Sequence, residues 1–509
     1  MKLSDFSILF CGVLLNALAQ LGLKAATRVT GPLVAGDAGV WHRALDILVV
    51  PSLWYALAAY ALSVVVWLVG LSRVPVSQAY PLLSLGYVIN IGLAWWLLGE
   101  VPNVQRVAGI GVIVLGVVLV ARSRLCLMND SNRPVQPTLP FTRPSIDEDT
   151  IAAVGEVLRS GWLASGPKVA QLEAELSAYL GGRPVRTQTS ATAGLEMALL
   201  ACGIGRGDEV ITPALSFVAT ANVIVRVGAR PVFVDVGLDS RNLELAQVEA
   251  AITPRTRAIL PVHFAGLPVD MERLYDIAAR HRLRVIEDAA HAIGSSWRGR
   301  RIGSFGDLVC FSFHPNKNMT TIEGGAISGG SAAELKAIEL HRWHGLVKSG
   351  ADGFDALLAG GKCNLSDVAA AEGLGQLRRL EEFNARRRTL VARYYELWGA
   401  NPPLRLPERG DAGHSWHVFT PLLPLAQLSI TRAEFMEAMK ARGIGTGVHY
   451  PAIHLFSVYR ALGYREGQFP NAERIGRETI TLPLFPAMQP GDVERVVVAV
   501  NDIVHGARR

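Results

Sequence analysis

Four apolar stretches occupy most of the first 125 residues of this 509-residue chain and constrain its fold more than any other feature. They cover roughly residues 6–23, 47–72, 76–98 and 104–121. Each is close to the ~20 residues that an α-helix needs to cross a bilayer. Because three further stretches follow the first one and no small-residue cleavage site ends it, it is not a cleaved signal peptide. The pattern predicts an all-α module of four transmembrane helices over residues 1–125.

A polar, proline-bearing linker at residues 126–140 separates this module from a part of ordinary globular composition. Eight basic and four acidic residues place +4 of the formal +6 net charge in the first 125 residues, so the globular part is nearly neutral. It shows no basic stripe with interleaved aromatic residues, which argues against nucleic-acid binding. We predict a large domain over 141–380 and a smaller α+β domain over 381–509.

Several uncharged polar residues interrupt the apolar stretches, where hydrocarbon makes them costly unless they pair or line a path. Asn16 and Gln20 lie four residues apart on one face of the first predicted helix, and Tyr80 lies in the third stretch. These side chains could line a substrate route, or they could form hydrogen bonds between helices. Both interpretations stay open.

The segments LLNALAQLGLKAA, VPVSQAYPLLSLGY and LGE resemble the small multidrug resistance and EamA-type transporters. Within that group, the module is most similar to the four-helix subunits that flip undecaprenyl-phosphate-linked 4-amino-4-deoxy-L-arabinose. Asn16 stands where the drug-exporting branch has a membrane glutamate, which disfavours proton-coupled drug export. The resemblance implies a lipid-linked aminosugar as cargo and a second small membrane subunit as partner.

Beyond the linker, short apolar runs alternate with helical patterns, which is typical of a mostly parallel sheet covered by helices. Two of the segments between these runs, 216–228 and 268–283, predict helices. Ligands of such sheets bind at the carboxyl ends of the strands. The predicted strands are 208–213, 230–236, 256–264, 283–291 and 308–314.

A lysine, an aspartate and a small-residue turn at these strand ends together suit pyridoxal phosphate. This cofactor needs an amine for a Schiff base, a carboxylate that keeps its pyridine nitrogen protonated, and a cradle for its phosphate. Lys317 in FSFHPNKN offers the amine and, once freed, a base for the proton shift. Asp288 in VIEDAAH offers the carboxylate. The turn SATAG begins a helix whose N–H groups at Thr192 and Ala193 can hold the phosphate.

Three further side chains could complete this site. Ser312 could add a hydroxyl to the phosphate cradle, and Phe217 could stack on the cofactor ring. His291, three residues after Asp288, could hydrogen-bond from the other side or to the ring hydroxyl. Taken singly, each residue is better explained as a cap, a core aromatic or a satisfied polar group, but their ordered combination favours the cofactor site. We assign no metal ligands.

These motifs resemble the DegT/DnrJ/StrS family of sugar aminotransferases, pyridoxal-phosphate enzymes with the fold-type-I α/β architecture. The resemblance covers about residues 138–505, through GDEVITPALSFVAT, VIEDAAHAIG, FSFHPNKN and RGIGTGVHY among others, and is greatest to the branch that makes UDP-4-amino-4-deoxy-L-arabinose. It implies the roles given above. It also implies that Asn364 of CNLSD reaches the phosphate of a neighbouring subunit in a homodimer, and that His449 and Tyr450 of GVHYP face the substrate.

The two parts together predict a dimeric aminotransferase in the inner membrane, with its catalytic part in the cytoplasm where nucleotide sugars are found. It would move an amino group from glutamate to the 4-keto carbon of a UDP-pentose, for lipid A modification, and the membrane part would flip the lipid-linked product. Cys363 and Pro451 replace an aromatic and a basic residue of the arabinose branch, which limits the choice of sugar. Two alternatives stay open: amination of a nucleotide-linked keto-hexose for surface polysaccharide, with the membrane part as anchor, and a transporter whose soluble half senses without turnover.

Overall fold

The chain forms two compact units, residues 1–135 and 136–509. The structure, a computed structural model, describes the following residues: 3–30, 46–72, 83–99, 103, 105, 107–109, 111, 138–350 and 353–508.

The described part of the first unit contains the helices α1 (Leu3–Thr30), α2 (Pro51–Leu71) and α3 (Leu85–Leu98). Two helical segments are long and apolar enough to cross a membrane, Ser7–Val29 and Pro51–Leu71, whereas α3 is apolar but shorter. Of the fourth predicted span, 104–121, the structure describes only residues 105, 107–109 and 111. Of the four predicted spans, therefore, the described residues support two by length and composition.

Helices α1 and α2 approach each other closely through small residues. A Cβ atom added to Gly22 would lie 2.9 Å from the Cβ atom of Ala56, and one added to Gly70 would overlap Leu9 Cδ2. Small residues let membrane helices bring their backbones together, because lipid offers no hydrophobic drive for helix association. This contact is the main packing seam of the first unit among the described residues.

The second unit is built on a seven-stranded mixed sheet. Strand β9 (Gly325–Gly329) is antiparallel to both of its neighbours, and the other neighbouring pairs are parallel. All five predicted strands are confirmed, whereas β1 (Val185–Gln188) and β9 were not predicted. In spatial order the strands are β1 (Val185–Gln188), β9 (Gly325–Gly329), β8 (Leu308–Ser312), β5 (Arg284–Asp288), β4 (Thr256–Ile259), β2 (Glu209–Pro213) and β3 (Arg230–Val234).

Helices cover this sheet, so that β2, β8 and β9 are buried along their whole length. Burial on both faces explains why the central strands read as continuous apolar runs. The two predicted helices are confirmed as α7 (Ala219–Arg226) and α9 (Met271–His281). Two short hairpins lie outside the main sheet, β6–β7 (Ser296–Trp297, Arg300–Arg301) and β10–β11 (Leu346–Ser349, Gly353–Ala356). The helices are α4 (Glu148–Ser160), α5 (Pro167–Tyr179), α6 (Ala191–Ala201), α7 (Ala219–Arg226), α8 (Leu245–Ala250), α9 (Met271–His281), α10 (Ala332–Arg342), α11 (Asp367–Trp398), α12 (Arg432–Ala441), α13 (Ser457–Arg460), α14 (Pro470–Glu478) and α15 (Pro490–Gly506).

Helix α11 joins two hydrophobic cores. Leu374 and Leu380, in its first half, pack in the core beside the sheet. Leu390 and Tyr394, in its second half, pack in a separate C-terminal core with α15. The domain boundary that we predict at residue 380 falls inside this continuous helix and stays a prediction.

Arg387 connects α11 to two other chain segments, one at Trp416 and His417 and one at Leu484. Only 2% of the residue is exposed. Its guanidinium donates hydrogen bonds to the carbonyl oxygens of Trp416, His417 and Leu484, at 3.3, 3.0 and 3.0 Å. Burial lowers the pKa of Arg387 to about 10. The side chain therefore satisfies carbonyl groups from two chain segments at once.

Replacement of Arg387 by methionine should destabilise the second unit. Methionine preserves most of the apolar volume but leaves the three carbonyl groups without this donor, so we expect the free energy of unfolding to fall by about 3 kcal/mol. Urea denaturation of residues 136–509 measures it. The matched control is Arg378→Met, on an exposed position of the same helix, which should change stability by less than about 0.5 kcal/mol. Equal stability of the two variants would contradict the role given to Arg387.

Candidate active site

A cavity of about 330 Å³ opens at the carboxyl ends of the central strands. Ligands of α/β sheets bind at this edge because the strand ends and helix N-termini converge there. Residues that follow β1, β2, β5 and β8 line it, together with residues from the C-terminal part of the chain. The cavity brings together eight of the predicted site residues: Thr192, Phe217, Asp288, His291, Ser312, Lys317, His449 and Tyr450.

Lys317 presents an amine at the cavity in a buried setting. Its backbone N–H donates to the His314 carbonyl at 2.9 Å, within the turn that follows β8. Burial lowers the pKa of the Lys317 amine to about 8, and the nearby carboxylate of Asp288 opposes this fall. The Nζ atom lies 3.5 Å from His417 Nε2. The neutral form of this amine, which acts as a nucleophile or base, is therefore more populated near physiological pH than in an ordinary lysine.

Asp288, the last residue of β5, is held on both carboxylate oxygens. Thr220 Oγ1 donates to Oδ2 at 2.7 Å, and the Ala290 N–H donates to Oδ1 at 3.1 Å. Ser216 Oγ lies 2.8 Å from Thr220 Oγ1 and extends the network. Burial raises the pKa of Asp288, against the opposing effect of these hydrogen bonds. A buried carboxylate of this kind favours a cationic partner, such as a protonated pyridine nitrogen.

His291 and two aromatic rings form one wall of the cavity. His291 Nδ1 accepts from the Ala265 N–H at 3.2 Å, so that Nε2 carries the hydrogen and faces the Tyr450 hydroxyl at 3.2 Å. Burial holds the pKa of His291 well below its usual value, so the ring is neutral. The Phe217 ring lies 5.7 Å from that of Tyr450 and is 55% exposed. An exposed aromatic ring on a cavity wall is available for stacking on a planar ligand.

The phosphate cradle forms where α6 begins. Ser190 caps this helix by accepting from the Ala193 N–H at 3.1 Å, so that Ala193 is already bonded and does not line the cavity, whereas Thr192 does. Ser312 lines the same end. A Cβ atom on Gly325 would lie 2.6 Å from the Ala191 nitrogen, so only glycine allows β9 to approach the helix start. The backbone N–H groups at the start of α6, the hydroxyls of Thr192 and Ser312, and the positive end of the helix dipole together suit a phosphate group.

Asn364 does not line the cavity of its own chain. Its Nδ2 donates to Ser165 Oγ at 2.6 Å, and its Oδ1 accepts from Lys362. The prediction that it reaches the phosphate of a neighbouring subunit stays a prediction.

The polar residues predicted for the membrane path lie in the other unit. Asn90 Nδ2, on α3, donates to Gln20 Oε1 at 2.6 Å, which is a hydrogen bond between helices. Asn16 Oδ1 is buried without a hydrogen-bond partner among the described residues. Tyr80 lies outside the described residues.

Two site residues were missed by the sequence reasoning. Thr220 lies four residues after Ser216 in ALSFVAT, within the segment 216–228 that the sequence predicts as a helix, and this spacing could have identified it. In the structure Ser216 precedes α7, yet the two hydroxyls are in contact. His417 is 100 residues from Lys317 in the chain, and no local motif connects them. Only the tertiary structure brings this ring to the lysine.

Comparison with known proteins identifies the family. Residues 144–501 match the model of the DegT/DnrJ/EryC1/StrS aminotransferase family, and residues 2–122 match that of the EamA-like transporter family. The chain is 40% identical over 380 residues to the spore coat polysaccharide biosynthesis protein SpsC of Bacillus subtilis, covering 72% of this chain and 98% of SpsC. SpsC is named for spore coat polysaccharide biosynthesis, so this match does not confirm the expected similarity to the arabinose branch.

Solved structures agree with this match. The pyridoxal-phosphate form of the putative sugar aminotransferase Spr1654 from Streptococcus pneumoniae is similar with a TM-score of 0.69 and 32% identity, over 72% of this chain and 99% of Spr1654. PseC of Helicobacter pylori, an aminotransferase of pseudoaminic acid biosynthesis, gives a TM-score of 0.69 and 27% identity, over 72% of this chain and 100% of PseC. Together with the cavity, these likenesses identify pyridoxal phosphate as the cofactor, and the chain belongs to the DegT/DnrJ/EryC1/StrS family of sugar aminotransferases.

Proposed function

We propose that this enzyme transfers an amino group from glutamate to the keto carbon of a nucleotide-linked sugar. The observation that carries the proposal is the buried amine of Lys317, which enters the same cavity as the Asp288 carboxylate and the start of α6. These three features supply the amine, the carboxylate and the anion cradle that the chemistry needs.

Each residue would have a definite task. Bound pyridoxal phosphate supplies an aldehyde for the substrate amine and a ring that withdraws electrons from the adjacent carbon. Lys317 Nζ would hold that aldehyde between turnovers and, when released, would carry a proton between the two reacting carbon atoms. Asp288 would keep the ring nitrogen protonated. Thr192 and Ser312 would hold the phosphate, with Phe217 against the ring.

Two sugar classes have separate support. The fused EamA-like part favours a UDP-4-keto-pentose, whose amination would give UDP-4-amino-4-deoxy-L-arabinose for lipid A, with the membrane part flipping the lipid-linked product. The similarity to SpsC, named for spore coat polysaccharide biosynthesis, favours a nucleotide-linked keto-hexose for surface polysaccharide, with the membrane part as anchor.

The proposal extends to assembly and location. A homodimer would let Asn364 of one chain approach the phosphate site of another. The two apolar helices and the EamA-like match support a multi-pass protein of the inner membrane with a cytoplasmic catalytic part.

Transamination should depend on Lys317 and should identify the sugar class. We expect the full chain in detergent, with pyridoxal phosphate and glutamate, to aminate a UDP-4-keto-pentose or a nucleotide-linked keto-hexose, detected by product mass. Lys317→Ala should reduce the rate by about 1000-fold or more, since it removes both nucleophile and base. Lys336→Ala, at an exposed position, is the control and should retain activity. Binding of the cofactor without amination of any sugar would support the sensing alternative instead.

The lowered pKa of Lys317 should appear in the pH dependence of cofactor capture. The neutral amine is the reactive form, so the capture rate of the apoenzyme should rise about tenfold per pH unit below pH ~8 and level off above it. Stopped-flow absorbance of added pyridoxal phosphate measures this rate. Lys336→Ala should give the same profile. A rate that keeps rising to about pH 10, as for an ordinary lysine, would show that Lys317 is not desolvated.

A further inference from the structure

His417 is in direct contact with the reactive amine of Lys317. No local motif predicts this contact, and His417 is not among the residues that line the cavity. Its ring is buried, with 2% of the residue exposed. Nε2 lies 3.5 Å from Lys317 Nζ, and Nδ1 has no hydrogen-bond partner among the described residues. Burying an imidazole is costly unless its nitrogen atoms have polar partners. Among the described residues, Lys317 Nζ is the hydrogen-bonding partner of this ring.

The ring and the backbone of His417 each have a defined neighbour. The His291 ring packs against the imidazole, with centroids 4.4 Å apart. Arg387 donates to the backbone carbonyl of His417 at 3.0 Å. The packing of the ring and the anchoring of its backbone together place Nε2 beside Lys317.

We propose that His417 is a positioning residue whose Nε2 accepts a hydrogen bond from Lys317 Nζ and orients the amine toward the cofactor aldehyde. A lysine ammonium has three donors and no acceptor, so the imidazole must present its lone pair at Nε2 and carry its hydrogen on Nδ1. Burial and the charge of Lys317 hold the pKa of His417 well below its usual value, which keeps that lone pair free. The inference rests on the role proposed for Lys317.

The proposal predicts two separable effects on the apoenzyme. A hydrogen bond to an imidazole stabilises the ammonium more than the neutral amine, so its loss should lower the pKa of Lys317 further. Without this hydrogen bond the amine is no longer oriented toward the cofactor aldehyde. Capture of the cofactor should therefore be slower even at a pH where the amine is fully neutral. The other titratable side chains that line the cavity are present in every His417 variant: Asp288, His291, His314, Glu323, His449 and Tyr450.

The test uses the full chain in detergent and two variants. His417→Phe keeps the ring packing and removes the acceptor, whereas His417→Gln keeps an acceptor at the end of the side chain. The pH midpoint for labelling Lys317 with acetic anhydride, read by peptide mass spectrometry, should fall by about one unit in His417→Phe and by less than half of that in His417→Gln. Capture of pyridoxal phosphate above the midpoint should slow about tenfold in His417→Phe and recover largely in His417→Gln.

Two controls separate this inference from its alternatives. His414→Gln alters another buried histidine of the same segment, whose ring stacks on Trp416 at 3.8 Å and which does not line the cavity; it should leave both readouts unchanged. An unchanged or raised midpoint in His417→Phe, or equal losses in all three variants, would overturn the proposal. Normal covalent capture in Lys317→Ala would instead refute the lysine assignment itself.

Discussion

The desolvation of one lysine amine at the carboxyl edge of the sheet is the interaction on which the rest of the site depends. An ammonium group in water would stay protonated at pH 7 and could not attack an aldehyde. Lys317 is placed so that burial lowers its pKa, while Asp288 limits the fall and the neighbouring histidines stay neutral. The fold must therefore bury this amine near the Asp288 carboxylate, and the carboxyl ends of the central strands provide that position.

The C-terminal part of the chain also contributes to this cavity. His449 and Tyr450 line it. Arg387 on α11 donates to the backbone carbonyl of His417, so the helix that joins the two cores also holds the segment that carries this histidine.

Local sequence patterns predicted the parallel strands because each is an apolar run between amphipathic segments. They missed β1 and β9, since VRTQ is largely polar and GAISG is rich in small residues. These segments become strands by pairing: β9 pairs with both β1 and β8, and β1 pairs with β9 alone among the described strands. The same division applies to the site. Residues at the carboxyl ends of strands, such as Asp288 and Ser312, were predictable. His417, by contrast, depends on a contact between segments 100 residues apart.

The identity of the sugar lies outside what local patterns predict, because it depends on the shape of the outer cavity and on any contribution from a second chain. The family and the cofactor follow from motifs that lie at strand ends. The two positions expected to depart from the arabinose branch, Cys363 and Pro451, do not line the cavity.

Chemical mapping of the cofactor linkage tests the central claim most directly. The full chain, loaded with pyridoxal phosphate, is reduced with borohydride, digested and examined by mass spectrometry. The account predicts a stable phosphopyridoxyl group on the peptide that contains Lys317 and on no other lysine. Modification of a different lysine, or no modification at all, would contradict the assignment of this cavity as the active site.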